Sequence, residues 1–370
     1  MNFQSDPKTK LIERRVVGKG IAHDSAKKHV AGEAIYIDDM PDLPGTLHTA
    51  FITSPVAHAT LKGVNADKAL AMEGVVAVLL ADDIPGHNDI APILSGEPLF
   101  ATDVLDYVGM PIGIVAAESL EQAIKAAHAV ELDYAELPAV LDVEEAHNAQ
   151  SYALAPQTLI KGDVDAALDE AATVVEGRLE IGGQDHFYLE TQIAYAVPGE
   201  DDDMIVHSST QHPTEVQHHV AHVLALTANR VEVQVRRMGG GFGGKESQAT
   251  IIAAAAALVA QKTRRPVRCR LKRAVDMSTT GKRHDMVSSW RVGVDGDGKI
   301  LGAEVQYLAR AGNTADLTGP VITRAITHTD NSYFIPAARI TGHACKTNTV
   351  SNTAFRGFGG PQGVITSEAM

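Results

Sequence analysis

The chain has 370 residues, 45% hydrophobic and 21% charged, with a formal net charge of −14. That balance belongs to a folded protein of two or three domains, not to a disordered one. The acidity excludes nucleic acid as the expected partner, since phosphate-binding surfaces are basic.

Residues 1–27 read as a polar arm with no apolar secretory core. From 28 to 138 the pattern alternates between strands and helices. Thr46–Ser54, Val75–Ala81, Ile112–Ala117 and Val130–Tyr134 read as strands. Asn65–Glu73 reads as a short helix closed by Gly74, and Ser119 with Gln122 forms a capping box opening another. This α/β unit lacks a phosphate loop and reads as scaffold. Residues 139–162 read as an irregular linker, too long for an ordinary loop. A second domain, 163–370, opens on a helix capped by Asp163 and continues through strands Thr173–Ile181, Gln192–Val197 and Met204–Ser208. The acidic turns Gly199–Asp203 and Asp295–Gly298 lack calcium-loop spacing and read as solvated hairpin turns.

Ile251–Ala260 is the longest apolar run, ten residues and mostly Ala. It is too short to span a bilayer and fits a buried helix, so no membrane partner is expected. Cys269 and Cys345 are too few for an iron–sulfur cluster or a four-Cys zinc site. Both read as reduced and structural, in a cytoplasmic protein.

The sharpest motif is Met238-Gly-Gly-Gly-Phe-Gly-Gly-Lys245-Glu246, between the alternating strand Val231–Arg237 and the helical stretch Ser247–Gln261. Backbone N–H groups at such a junction favour oxygen-rich ligands, and glycines let them approach closely. The G-x-x-x-x-G-K spacing suggests a phosphate loop, but Glu246 stands where Ser or Thr must hold magnesium. The Gly-Phe-Gly-Gly core recurs at Gly357–Gly360, preceded by Arg356. Two such loops suggest two walls of one pocket, with Phe242 and Phe358 closing over a flat ligand. His218 and His222 have metal-pair spacing but lie opposite Val216, Val220 and Val223, so a solvated helix face is expected. His186 reads as a hydrogen-bonded core residue.

These loops, together with Gly183-Gln-Asp-His-Phe-Tyr-Leu-Glu-Thr191, Ser209-Thr-Gln211 and Ser351-Asn-Thr-Ala354, resemble the molybdenum-binding subunit of the molybdenum hydroxylase (xanthine oxidase/aldehyde oxidase) family. The resemblance runs from about Gly18 to the last residue. It implies an α+β / α/β fold: a small hammerhead-type domain, then the first molybdopterin-binding domain, incomplete. It implies a molybdenum–molybdopterin cofactor and xanthine dehydrogenase chemistry. Hypoxanthine and xanthine would go to urate by water-derived hydroxylation, with hydride transfer to the molybdenum centre. Gln211 would bond an oxo group on the metal, Phe242 and Gly243 would supply backbone N–H groups, and the backbone of Arg356 would face the cofactor. Phe358 would stack on the purine, Glu246 would hydrogen-bond it, and Arg324 would stabilise charge developing on its carbonyl.

The family's general base, a late Glu, has no counterpart here, so the chain is expected to be part of a subunit and inactive alone. The resemblance places FAD and 2Fe-2S clusters on a partner subunit, with NAD as final acceptor. The alternatives are an aldehyde or other N-heterocycle hydroxylase of the same family, and a truncated scaffold without catalysis.

Overall fold

A computed structural model describes residues 18–370. Most of the expected arm therefore lies outside the described residues; its last part enters the short helix Ala26–Ala31. Two large sheets organise the chain. The first has seven strands in the order Val231–Gln234, Met204–Ser208, Ile193–Pro198, Val267–Arg270, Leu47–Thr53, Pro111–Ala117, Val75–Leu80. Its middle joint is parallel, with Leu47 opposite Val267 and His48 opposite Arg268. Three strands from the first 138 residues thus continue a sheet begun by four strands of the second half. The α/β unit is not closed on itself.

The helix Ala249–Thr263 packs on this sheet at Ile193–Pro198 and Val267–Arg270, and on the helix Pro213–Val223. Every residue from Ala249 to Ala260 is buried. A helix enclosed on all sides needs no polar face, and alanine lets it lie close to its neighbours.

The second sheet orders Tyr152–Lys161, Ala337–Lys346, Ile300–Gly312, Met286–Val294 and Thr173–Ile181. The helix Thr318–Thr327 lies on it, and Gly360–Ala369 packs on that helix. A small sheet of Val104–Leu105, Ala59–Asn65 and Glu131–Glu136 completes the first half.

The structure corrects several expectations. The linker expected over 139–162 is a helix, Val143–Asn148, followed by a ten-residue strand, Tyr152–Lys161. Asp142 caps that helix by accepting the N–H groups of Glu144 and Glu145 at 2.8 and 3.0 Å. The strand is an edge strand, where Pro156 need not donate to a ladder. The Asn65–Glu73 helix shrinks to Asp67–Leu70, and the strand expected to reach Arg237 stops at Gln234. At Ser119 the hydroxyl oxygen accepts the Gln122 N–H at 3.3 Å, but the Gln122 side chain returns to that hydroxyl and not to the backbone.

Candidate active site

The two glycine loops adopt the same turn. Phe242 and Gly243 have φ of 55° and 99°, and Phe358 and Gly359 have 50° and 92°. A left-handed Phe is strained, and the glycine after it removes the second penalty. The loops touch through backbone: the Arg356 N–H donates to the Phe242 carbonyl at 2.9 Å. A Cβ on Gly243 would stand 2.7 Å from the Ala354 carbonyl oxygen, so only glycine permits this approach.

Gln211 sits at the mouth of the first loop. Its Oε1 accepts the Gly243 N–H at 2.8 Å and the Lys245 N–H at 3.4 Å. Accepting through oxygen fixes the amide plane and turns the two Nε2 donors outward. They have no partner among the described residues, and neither does the Phe242 N–H. The resemblance assigned the Gly243 N–H to the metal's ligands; here that donor is spent on Gln211. The backbone of Arg356 is also engaged, because its carbonyl accepts from Arg283 at 3.0 Å. The outward donors are those of Gln211 and Phe242.

Phe358 and Arg324 face one cleft of about 650 Å³, lined also by Leu94, Leu154, Gln157 and Asp316. Arg324 is carried by the helix Thr318–Thr327, and its guanidinium bonds no described residue. Phe242 does not line this cleft. Its ring folds back over Gly240 and is 48% exposed. The expectation that both rings close one pocket is therefore not met: the loops touch through backbone, and only Phe358 lines the cleft. Glu246 also lies outside the cleft lining; burial and the nearby Glu215 raise its carboxyl above the usual range. Glu215 in turn bonds His212, next to Gln211, at 2.8 Å. Gln211 and Glu246 thus neighbour one another through His212 and Glu215, outside the lining of the cleft that Arg324 and Phe358 face. Asp316 lines that same cleft, its carboxyl pushed up to about 6 by burial.

Beneath the loops, His186 is the hydrogen-bonded core residue the sequence predicts, whereas the contacts it makes there are not readable from spacing. His186 is buried and bonds the Ala354 carbonyl through Nε2 at 2.7 Å. Burial pushes it down to about 4, so it is a neutral prop. Phe355 is clamped between this imidazole at 4.6 Å and the Arg283 guanidinium at 3.8 Å. His218 and His222 are exposed on the helix Pro213–Val223.

The donor set suits an oxo-anionic cofactor. Neutral amide N–H groups point outward over glycine backbone, which leaves room for a bulky group. Among the described residues no cluster of three His, Cys, Asp or Glu could ligate a metal directly.

Comparison with known proteins agrees with this chemistry. The family profile described as "Molybdopterin cofactor-binding domain" matches residues 144–370. That described as "Aldehyde oxidase and xanthine dehydrogenase, a/b hammerhead domain" matches residues 31–138. The chain is 44% identical over 367 residues to a xanthine dehydrogenase/oxidase of Gallus gallus, covering 99% of this chain and 27% of that protein. It is 45% identical over 359 residues to xanthine dehydrogenase 1 of Arabidopsis thaliana, covering 95% of this chain and 26% of the relative. The solved aldehyde oxidoreductase of Desulfovibrio gigas superposes with a TM-score of 0.85 at 29% identity, over 93% of this chain and 40% of that one. The chain thus spans about a quarter of the length of these curated relatives.

Proposed function

The chain belongs to the molybdenum hydroxylase family of xanthine and aldehyde oxidising enzymes, and from that premise we propose that it helps form an oxidoreductase taking hypoxanthine and xanthine to urate. The observation that carries this reading is the unpaired Arg324 guanidinium facing a cleft beside the Phe358 ring. When bound, the molybdenum–molybdopterin cofactor supplies a two-electron acceptor and a water-derived oxygen. The residues of this chain bind and orient. Gln211 Nε2 and the Phe242 N–H hold the cofactor's oxygen ligands. Phe358 covers the flat heterocycle, and Arg324 holds the substrate carbonyl as negative charge builds on it. Glu246, its carboxyl held toward the protonated form, hydrogen-bonds the far edge of the purine. Similarity to xanthine dehydrogenases along nearly the whole chain supports the purine.

FAD and 2Fe-2S clusters on a partner subunit, with NAD as final acceptor, complete the electron path in this proposal. Its support is that Cys269 and Cys345 are buried thiols raised to about 12 by burial, unsuited to ligate a cluster. The same reduced thiols support a cytoplasmic setting. No described helix is long and apolar enough to cross a membrane. Turnover is proposed for the assembled enzyme.

The fold likeness to an aldehyde oxidoreductase favours a second reading, an aldehyde hydroxylase. Arg324→Met in the assembled enzyme separates the two. For a purine enzyme, kcat/KM for xanthine falls by roughly 10²–10³ while that for an aromatic aldehyde stays within a few-fold. Unchanged xanthine turnover in the variant rules out the purine assignment.

A further inference from the structure

The lysine that completes the phosphate-loop spacing is unused by the proposed function, and its side chain points inward. Lys245 has 0% side-chain exposure. Its Nζ donates to the Glu190 carbonyl and to Ser209 Oγ, both at 2.8 Å, and reaches Glu190 Oε2 at 3.3 Å. It also lies 4.5 Å over the Tyr188 ring. Glu190 Oε2 accepts the Gly239 N–H at 2.9 Å and the Ser209 hydroxyl. The main chain of the same lysine holds Gln211, because its carbonyl accepts the Gln211 N–H at 2.7 Å while its N–H donates to Gln211 Oε1 at 3.4 Å.

One buried ion pair thus ties three stretches of chain: Tyr188–Thr191, Ser209–Gln211 and Gly239–Lys245. A buried charge left without its partner is costly, so each member holds the other in place. Neither side chain opens to the cleft. We propose that Lys245 and Glu190 are positioning residues of the molybdenum site, fixing the plane of the Gln211 amide so that its Nε2 donors face the cofactor. This rests on the reading of Gln211 as a cofactor contact. The pair acts through Gln211 and the Gly239–Lys245 loop and does not touch substrate.

The test uses the assembled enzyme with Lys245→Met, Glu190→Gln and Ser209→Ala, and with Gln211→Ala as reference. Three quantities are read: molybdenum retained per protein after gel filtration, the g-values of the molybdenum electron paramagnetic resonance signal, and the thermal midpoint. Retained molybdenum is expected to fall at least fivefold in Lys245→Met and about twofold in Glu190→Gln, which keeps an acceptor for the Gly239 N–H. In Ser209→Ala the g-values shift toward those of Gln211→Ala while the thermal midpoint stays near wild type. If Lys245→Met does not fold, Ser209→Ala decides. Wild-type g-values and wild-type retention in Ser209→Ala overturn the assignment. A wild-type enzyme that carries no molybdenum sinks the functional reading itself, and this assignment with it.

Discussion

At the buried histidines, burial decides charge before any partner does. His284 is 1% exposed, bonds Thr318 Oγ1 through Nε2 at 2.8 Å, and is pushed down to about 3 by burial. Its folded value lies below the unfolded one of about 6.5, so as pH falls through 6.5 the unfolded chain takes up a proton that the folded chain refuses. Stability is therefore lost on acidification, by about 1.4 kcal/mol per pH unit for this group, until pH approaches the folded value. His186 adds to the same trend down to about 4. We expect urea midpoints to fall between pH 6.5 and 4, and His284→Gln to flatten that slope. Equal slopes in variant and wild type would remove burial as the cause. Part of the candidate site is legible at this scale. The repeated Gly-Phe-Gly-Gly motif, and with it Phe358, is visible in sequence order, whereas Gln211 and Arg324 enter only through the family resemblance. The tether beneath them is not visible, because nothing in linear spacing brings Glu190 to Lys245 or Arg283 onto Phe355.

Among the elements, the alanine helix shows how little slack the core has. Ala255 lies in the fully buried run, so a larger side chain has no solvent to turn toward. Ala255→Leu should destabilise by about 1–3 kcal/mol through overpacking, read as a lowered thermal midpoint. A wild-type midpoint would mean that the helix can shift from the sheet. This helix was readable because its composition is extreme. The helix Thr318–Thr327, which carries Arg324, was not. It has no side-chain cap at Leu317 and is rich in Thr, Val and Ile, which are poor helix formers. Its helical state comes from packing Val321, Ile322, Ala325 and Ile326 on the second sheet. The strand Val267–Arg270 was missed for a similar reason. Val267-Arg268-Cys269-Arg270 alternates, but over only four residues, too few to mark a strand alone, and neighbours on both sides define it.

Across the whole molecule, the parallel joint between Leu47–Thr53 and Val267–Arg270 makes two sequence regions into one sheet. Phe51 and Ile114 share a core with the alanine helix. Residues 18–138 alone lack both that helix and the neighbouring strand. Expressed separately, they should show no cooperative thermal transition, and the intact chain should protect Leu47–Thr53 from hydrogen exchange as strongly as Ile193–Pro198. A sharp transition in the isolated fragment would contradict this. Alternation marked the strands of both halves but gave no sign that they join. Register between distant strands is set by side-chain fit across the joint, which no local pattern records.

The single backbone bond from Arg356 to Phe242 also fixes an order of events. The loops it joins are separated by roughly a hundred residues of chain, so loop-closure entropy must be overcome before either supports the other. A polypeptide emerging from the ribosome has no receptacle for the pterin until its later loop has left the exit tunnel and docked. In the proposed reading, cofactor loading therefore waits for both loops, however much chain follows them, and a chain halted before the later one emerges lacks the partner that braces the first.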